Sequence, residues 1–249
     1  MTDDTERETV LTMQRTRRLA SMTVVASLAL AGLSACRAGT DVAASVGDAR
    51  ITEERVQAVL DDARNALGEN AANLPITRED VVNVLVSRDL IDRVAARHNV
   101  RLPASPSYDQ FAALVRLPAT TEYVRLYTEY STLQYDVEQS MTSTTPLSDD
   151  DLKDVFDRLT ANGGIEPGTT FDTFRTSVPP EALTELQAAV ALRDEVHEVA
   201  DPLNVSVHPR YQPLELGVYG VRNQKTNAIY QLVAAEVGTD VTVPVSDIS

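Results

Sequence analysis

The chain has 249 residues, 43% hydrophobic and 24% charged, which is ordinary for a globular protein. Its net charge of -15 at pH 7 argues against a nucleic-acid surface, because a phosphate backbone requires clustered Lys and Arg. A single cysteine, three widely spaced histidines and no tryptophan exclude an internal disulfide and the common zinc spacings.

The N-terminal region divides by charge. Residues 13–18, MQRTRR, are basic, and residues 19–35 follow without any charge. At about 1.5 Å per residue this apolar run spans roughly 25 Å as a helix, short of the ~30 Å hydrocarbon core of a bilayer. A basic start, a short apolar middle and small residues before a break form the layout of a secretory signal. The run ends in Leu33-Ser34-Ala35-Cys36, which resembles a bacterial lipobox. That resemblance implies cleavage before Cys36 and lipid on its thiol, with residues 1–35 as signal peptide and 36–42 as lipidated tether. The acidic prefix MTDDTERETVLT fits an n-region poorly, so the start is either Met1 or Met13. Arg17-Arg18 suggests a twin-arginine signal, but Ala20 and Ser21 stand where that motif wants bulky apolar residues. The four arginines and four acids of residues 1–35 cancel, so the acidity belongs to the rest of the chain.

The first elements beyond the tether are two short strands over 44–46 and 49–51 with a Gly47-Asp48 turn. Thr52 then N-caps a helix with Glu53 and Glu54 in its first turn, and Val56, Val59, Leu60, Ala63 and Leu67 on one face. Gly68 stops it. Thr77 and Asp80 form a capping-box pair ahead of the broadest apolar stripe: Val81, Val82, Leu85, Val86, Leu90, Ile91 and Val94. This predicts a central, buried helix that ends by Asn99. Ser107 and Gln110 have capping-box spacing before a short helix, YDQFAALV.

After Pro118 a longer helix carries Tyr123, Tyr127, Tyr130, Val137 and Met141 on one face, with Leu126 and Leu133 alongside. The tyrosine stripe either lines a groove for unfolded peptide, since Tyr offers apolar area with a polar edge, or packs the core. TSTTP is a linker. Ser148 and Asp151 cap a further helix with Val155, Phe156 and Leu159 inward and Gly163-Gly164 as its stop. A short helix over TTFDTFRTSV precedes a long one that begins at Pro180 and carries Leu183, Leu186, Val190 and Val196. Beyond Pro202 the residues are of β type with Pro and Gly breaks, and the last ten lack pattern.

No GxSxG, Walker A or GxGxxG motif occurs. Asp149-Asp150-Asp151 lacks the spacing and distal Glu of a calcium loop, and reads as first-turn acids on a helix dipole. Asp61-Asp62 and similar pairs read as a solvated acidic face rather than a glycosidase dyad. His98 reads as a helix-end residue, and Arg210 with Tyr211 as an anchor for the C-terminal strand. No catalytic, metal or cofactor-binding residue is assigned.

Four segments taken in order resemble one family. SVGDARITEERVQAVLDD is similar to the opening of SurA-type and PrsA-type periplasmic chaperones, where a β-hairpin with a Val-Asn-Gly-like turn leads into a helix begun by Thr or Ser. VLVSRDLIDRVAARHNVRLP resembles the family's second signature, with Asn99-Val100 at its helix exit. LSDDDLKDVFDRL resembles the next segment of the family, and VSVHPRYQPLEL its closing strand. The resemblance implies a mainly α, multi-helix SurA N-terminal-like chaperone module over 43–216. It would have a small β-hairpin near the mature N-terminus, short β-strands near the C-terminus, and a β or irregular extension over 217–249. Family members often carry an inserted parvulin prolyl isomerase domain, but only linker residues lie between Met141 and Leu147. The expectation is therefore an extracytoplasmic, lipid-anchored chaperone or holdase without isomerase activity or cofactor. Its partners would be unfolded or extended polypeptides and the membrane, with Tyr123, Tyr127 and Tyr130 as the expected peptide site. The alternative is a non-catalytic envelope scaffold that holds one specific partner.

Overall fold

A computed structural model of the chain describes residues 41–141, 145–222 and 229–238. The signal-peptide expectation, Cys36, most of the 36–42 tether, part of the TSTTP linker and the patternless last ten residues lie outside these. Residues Met1–Val42 make a unit of their own, and Ala43–Ser249 form a second, larger one that holds the helices and sheets.

The fold is mainly helical, with seven α-helices and five short strands among the described residues. Strands β1 (Val42–Val46) and β2 (Ala49–Thr52) form the expected hairpin. Its turn residue Gly47 sits at φ +60°, and its N–H donates to Leu203 O at 2.9 Å. A Cβ there would press on Leu203 Cδ2 at 3.2 Å, so both conformation and space favour glycine. Strand β3 (Ser206–Val207) joins the far edge of β1 in antiparallel pairing, giving the order β2-β1-β3. Residues distant in sequence thus close the hairpin into a sheet.

Helix α1 (Glu53–Leu67) starts at Thr52, whose side chain accepts from Arg55 N, and ends at Gly68 with φ +55°. A 3-10 turn over Gly68–Asn73 leads on to α2 (Arg78–Arg97), whose Thr77–Asp80 capping box is fully formed. The α2 stripe is wider than expected. Val84 is buried as well, and Leu85 is only half-buried. The cause is position, because α2 packs against α1 and, further along the chain, against three elements introduced below in sequence: the helices over Glu122–Ser140 and Pro180–Ala200 and the strand over Leu214–Arg222.

Helix α3 (Tyr108–Val115) forms as expected, but the Ser107 side chain makes no cap bond; its carbonyl accepts from Gln110 N and Phe111 N, and Tyr108 N donates to Pro106 O. Helix α4 (Glu122–Ser140) is joined to α1 at its first residue. Arg55 donates to both Glu122 oxygens at 2.7 and 2.8 Å, and Asp62 accepts from Glu122 N at 2.7 Å. The Arg55 bonds hold the Glu122 carboxyl below the usual glutamate range.

Helices α5 (Asp149–Ala161), α6 (Phe171–Ser177) and α7 (Pro180–Ala200) complete the body. Ser148 and Asp151 form the second capping box, and Asp151 also accepts from Arg193 at 2.9 Å. The inward face of α5 is Leu152 and Val155. Phe156 is half-buried and packs on Phe171 and Phe174 of α6. On α7, Leu186, Ala189, Leu192 and Val196 are buried, whereas Leu183 and Val190 are partly exposed.

Strands β4 (Leu214–Arg222) and β5 (Ile229–Val237) pair antiparallel in a two-stranded sheet. The sequence reading ends the helical body at 216 and begins an extension at 217. In the structure β4 runs unbroken through that point, and Leu216, Val218, Leu232, Val233, Ala235 and Val237 share one core with the helices. The turn into β4 is pinned to α1. Tyr211 donates to Glu53 at 2.9 and 3.0 Å, Arg210 pairs with the same carboxylate, and the Arg210 guanidinium lies 4.9 Å from the Tyr211 ring centre. This is the anchoring expected of Arg210 and Tyr211.

Candidate functional site: an aromatic groove between α2, α4 and β4

The tyrosine stripe follows from helical spacing. Tyr123, Tyr127 and Tyr130 stand four and three residues apart on α4, so their rings fall in a row. Tyr123 and Tyr127 stack with centroids 6.1 Å apart, and Tyr127 meets Tyr130 edge-on at 6.4 Å. Phe111 of α3 adds a fourth ring, 5.8 Å from Tyr127 and T-shaped to it. Tyr127 is thus the centre of a continuous aromatic row, in geometries that favour ring quadrupoles.

The three tyrosines differ in burial. Tyr123 and Tyr130 are 6% and 8% exposed, whereas Tyr127 is half-buried. Burial raises the pKa of all three phenols, so each is a neutral hydrogen-bond donor at physiological pH. Tyr123 and Tyr130 belong to the buried core and also line the groove, and Tyr127 is the more accessible ring of the three.

The row forms the floor of a groove of about 650 Å³, walled by α2 on one side and by β4 and β5 on the other. A second hollow of about 720 Å³ lies beside it, and Asp80, Tyr123, Tyr127 and Ile229 line both. The β4 wall is held by side-chain amides and a phenol. Asn83 donates to Glu215 O at 2.8 Å, Tyr130 to Gly217 O at 3.0 Å, and Gln134 to Gly217 O and Val218 O at 3.1 and 2.7 Å. These bonds satisfy carbonyls on a strand edge that has no neighbouring strand among the described residues. Register shifts at Gly217/Tyr219 and Tyr219/Gly220 mark a bulge in the stretch of β4 that lines the groove. A Cβ on Gly217 would run into the Gln231 side chain, and one on Gly220 would sit 3.0 Å from Ile229 Cγ2.

The lining of the hollows is mixed: Asp80, Glu138 and Glu215 stand on their margins, and Arg116 and Arg222 line the second hollow beside the tyrosines. Among the described residues, the exposed large hydrophobic side chains are Leu114, Tyr135 and Ile229, at 42%, 60% and 46%. All three line these hollows. No histidine, cysteine or lysine among the described residues does. The histidines are scattered: His98 caps α2 near Glu195, His208 accepts from Arg210 N, and His197 lies in the last turn of α7. Asp149 pairs with Arg175 at 3.1 Å, and no group of His, Cys, Asp or Glu among the described residues could hold a metal.

Sequence reading places the stripe but misses Phe111, Gln134, Tyr135, Tyr219 and Ile229. Phe111 and Tyr135 read as ordinary helix residues, and only the β4–β5 hairpin brings Tyr219 and Ile229 to the groove wall. The local signal is Gly217-Val218-Tyr219-Gly220, since paired glycines inside a strand mark a bulge or a close approach. No described helix is long and apolar enough to cross a membrane. The chain matches no protein-family model, no curated protein and no solved structure.

Proposed function

We propose that the chain is a membrane-anchored extracytoplasmic lipoprotein whose SurA-like helical body holds unfolded or extended polypeptide in the aromatic groove, as a chaperone or holdase without isomerase activity. One observation carries this reading: the exposed large apolar side chains among the described residues, Leu114, Tyr135 and Ile229, line two adjoining hollows that share Tyr127. Clustered apolar surface around a concavity is where a soluble fold meets a partner. Tyrosine suits varied partners, because its ring provides contact area at low entropic cost and its hydroxyl can still hydrogen-bond. The order of the four family-like segments supports the SurA-like assignment, and the lipobox-like ending at Cys36 supports the anchor. Two acyl chains suffice for stable attachment, at about 0.8 kcal/mol per buried CH₂.

The test is suppression of aggregation of a reduced, unfolding client by the purified chain. The wild type is expected to suppress it at modest excess. A Leu114→Ser/Tyr135→Ser/Ile229→Ser variant should lose most of that effect while its melting temperature falls only modestly, because about half of each side chain is already in water. Equal protection by both proteins, or none by the wild type at several-fold excess, would sink the groove reading. In vivo crosslinking that returns one stoichiometric partner would favour the scaffold alternative. For the anchor, Cys36→Ser is expected to abolish acyl labelling and to release or mislocalise the protein; labelling that persists would refute the lipoprotein assignment.

A further inference from the structure

The acids around the groove are not equivalent. Glu215 is neutralised by Arg158, with contacts of 3.2 and 3.3 Å. Asp80 caps α2, accepting from Thr77 N and Oγ1 at 2.8 Å. Glu138 is different. It projects from the last turns of α4 into the end of the groove, half-buried, with no ion pair or side-chain hydrogen bond among the described residues. Its electrostatic neighbour is another acid, Glu185 of α7, which accepts from the Tyr219 hydroxyl at 2.6 Å.

Burial and the Glu185 charge raise the Glu138 pKa, and burial together with both acids pushes Tyr219 up to about 12. An unfavourable charge arrangement is thus maintained beside an exposed aromatic, Tyr135, and at the end of the Tyr127 row. The chain carries 22 Lys and Arg, yet among the described residues none pairs with Glu138 or Glu185. A cation from outside would relieve both carboxylates at once.

We propose that the occupant of the groove is a polypeptide segment that combines apolar residues with a lysine or arginine. Its apolar side chains lie on Tyr127 and Ile229, and its basic side chain reaches between Glu138 and Glu185 at the α4 end. This rests on the peptide-binding reading and narrows it to a partner chemistry. The geometry suits the division of labour. The floor is sequence-tolerant aromatic surface, the end presents the Glu138 carboxylate, and Glu185 stands just behind the lining residue Tyr219, whose hydroxyl donates to it. The excess negative charge of the chain steers such segments toward it.

The experiment uses fluorescence anisotropy with the purified full chain and three labelled peptides that share one apolar sequence. They carry lysine, norleucine or glutamate at a single position. The lysine peptide is expected to bind about tenfold tighter than the norleucine peptide, the gain of one charge-assisted contact, with the glutamate peptide weakest. In Glu138→Gln/Glu185→Gln the lysine preference over norleucine should vanish. That variant retains the acceptor for Tyr219, and loss of like-charge repulsion means its melting temperature should not fall. Equal binding of lysine and norleucine peptides to the wild type, or a lysine preference that survives in the variant, overturns the basic-residue assignment and leaves the groove reading standing. Failure of every peptide to bind overturns both.

Discussion

Leu90→Ala is expected to lower the unfolding free energy by about 3–5 kcal/mol, the upper range for a core leucine whose surroundings cannot collapse. The side chain is fully buried in the middle of α2, within the stripe that includes Val82, Val86, Ile91 and Val94. That helix packs against α1, α4, α7 and β4, so the cavity would open where several elements meet in a close-packed interior. Leu85 is the internal control. It sits on the same helix but is half-buried, and Leu85→Ala should cost about 1–2 kcal/mol, in proportion to the smaller apolar area it removes from water. Urea unfolding followed by far-UV circular dichroism measures both. Equal effects at the two positions would show that α2 is not the centre of the body.

The contrast between those leucines also shows where sequence is informative. Periodicity places residues on a face, and Val81, Val82, Val86, Leu90, Ile91 and Val94 are buried as their spacing predicts. Periodicity does not say how wide the buried face is, because that depends on how many neighbours surround the helix. Val84 is therefore buried and Leu85 is not fully so. Caps follow local chemistry and are legible where the bond is short-range. Thr77–Asp80 and Ser148–Asp151 close as their spacing predicts. Ser107, in similar spacing, has a ψ of 65° where those two caps are extended, and its side chain does not reach the amides. What sequence could not supply is the long-range pairing. The β3 strand completes the N-terminal hairpin from far along the chain, and β4–β5 builds one wall of the groove. The Glu138–Glu185 juxtaposition depends on how α7 lies against α4, which no local pattern encodes.

The tyrosine stripe is expected to split into structural and binding members when each is truncated to alanine. Tyr130→Ala should cost about 3–4 kcal/mol of stability, typical for a buried aromatic, because it removes a packed ring and its hydroxyl donor to Gly217 O. Gln134 still donates to that carbonyl, so the loss is mostly packing rather than an orphaned acceptor, and Tyr130→Phe should cost only about 1 kcal/mol. Tyr127→Ala should behave in the opposite way. Part of its ring already faces the groove, so folding loses about 1–2 kcal/mol, but peptide affinity should fall about thirtyfold or more, as for a central aromatic anchor. It touches three other rings, and its removal leaves Phe111, Tyr123 and Tyr130 without a common neighbour, so the loss would be felt along the whole floor. Denaturation and anisotropy on the same samples separate the two effects. If Tyr127→Ala unfolds the protein as readily as Tyr130→Ala, the stripe is a core feature alone. If it leaves both stability and binding intact, the groove does not use its central ring, and partners must engage the exposed rim of Leu114, Tyr135 and Ile229 instead.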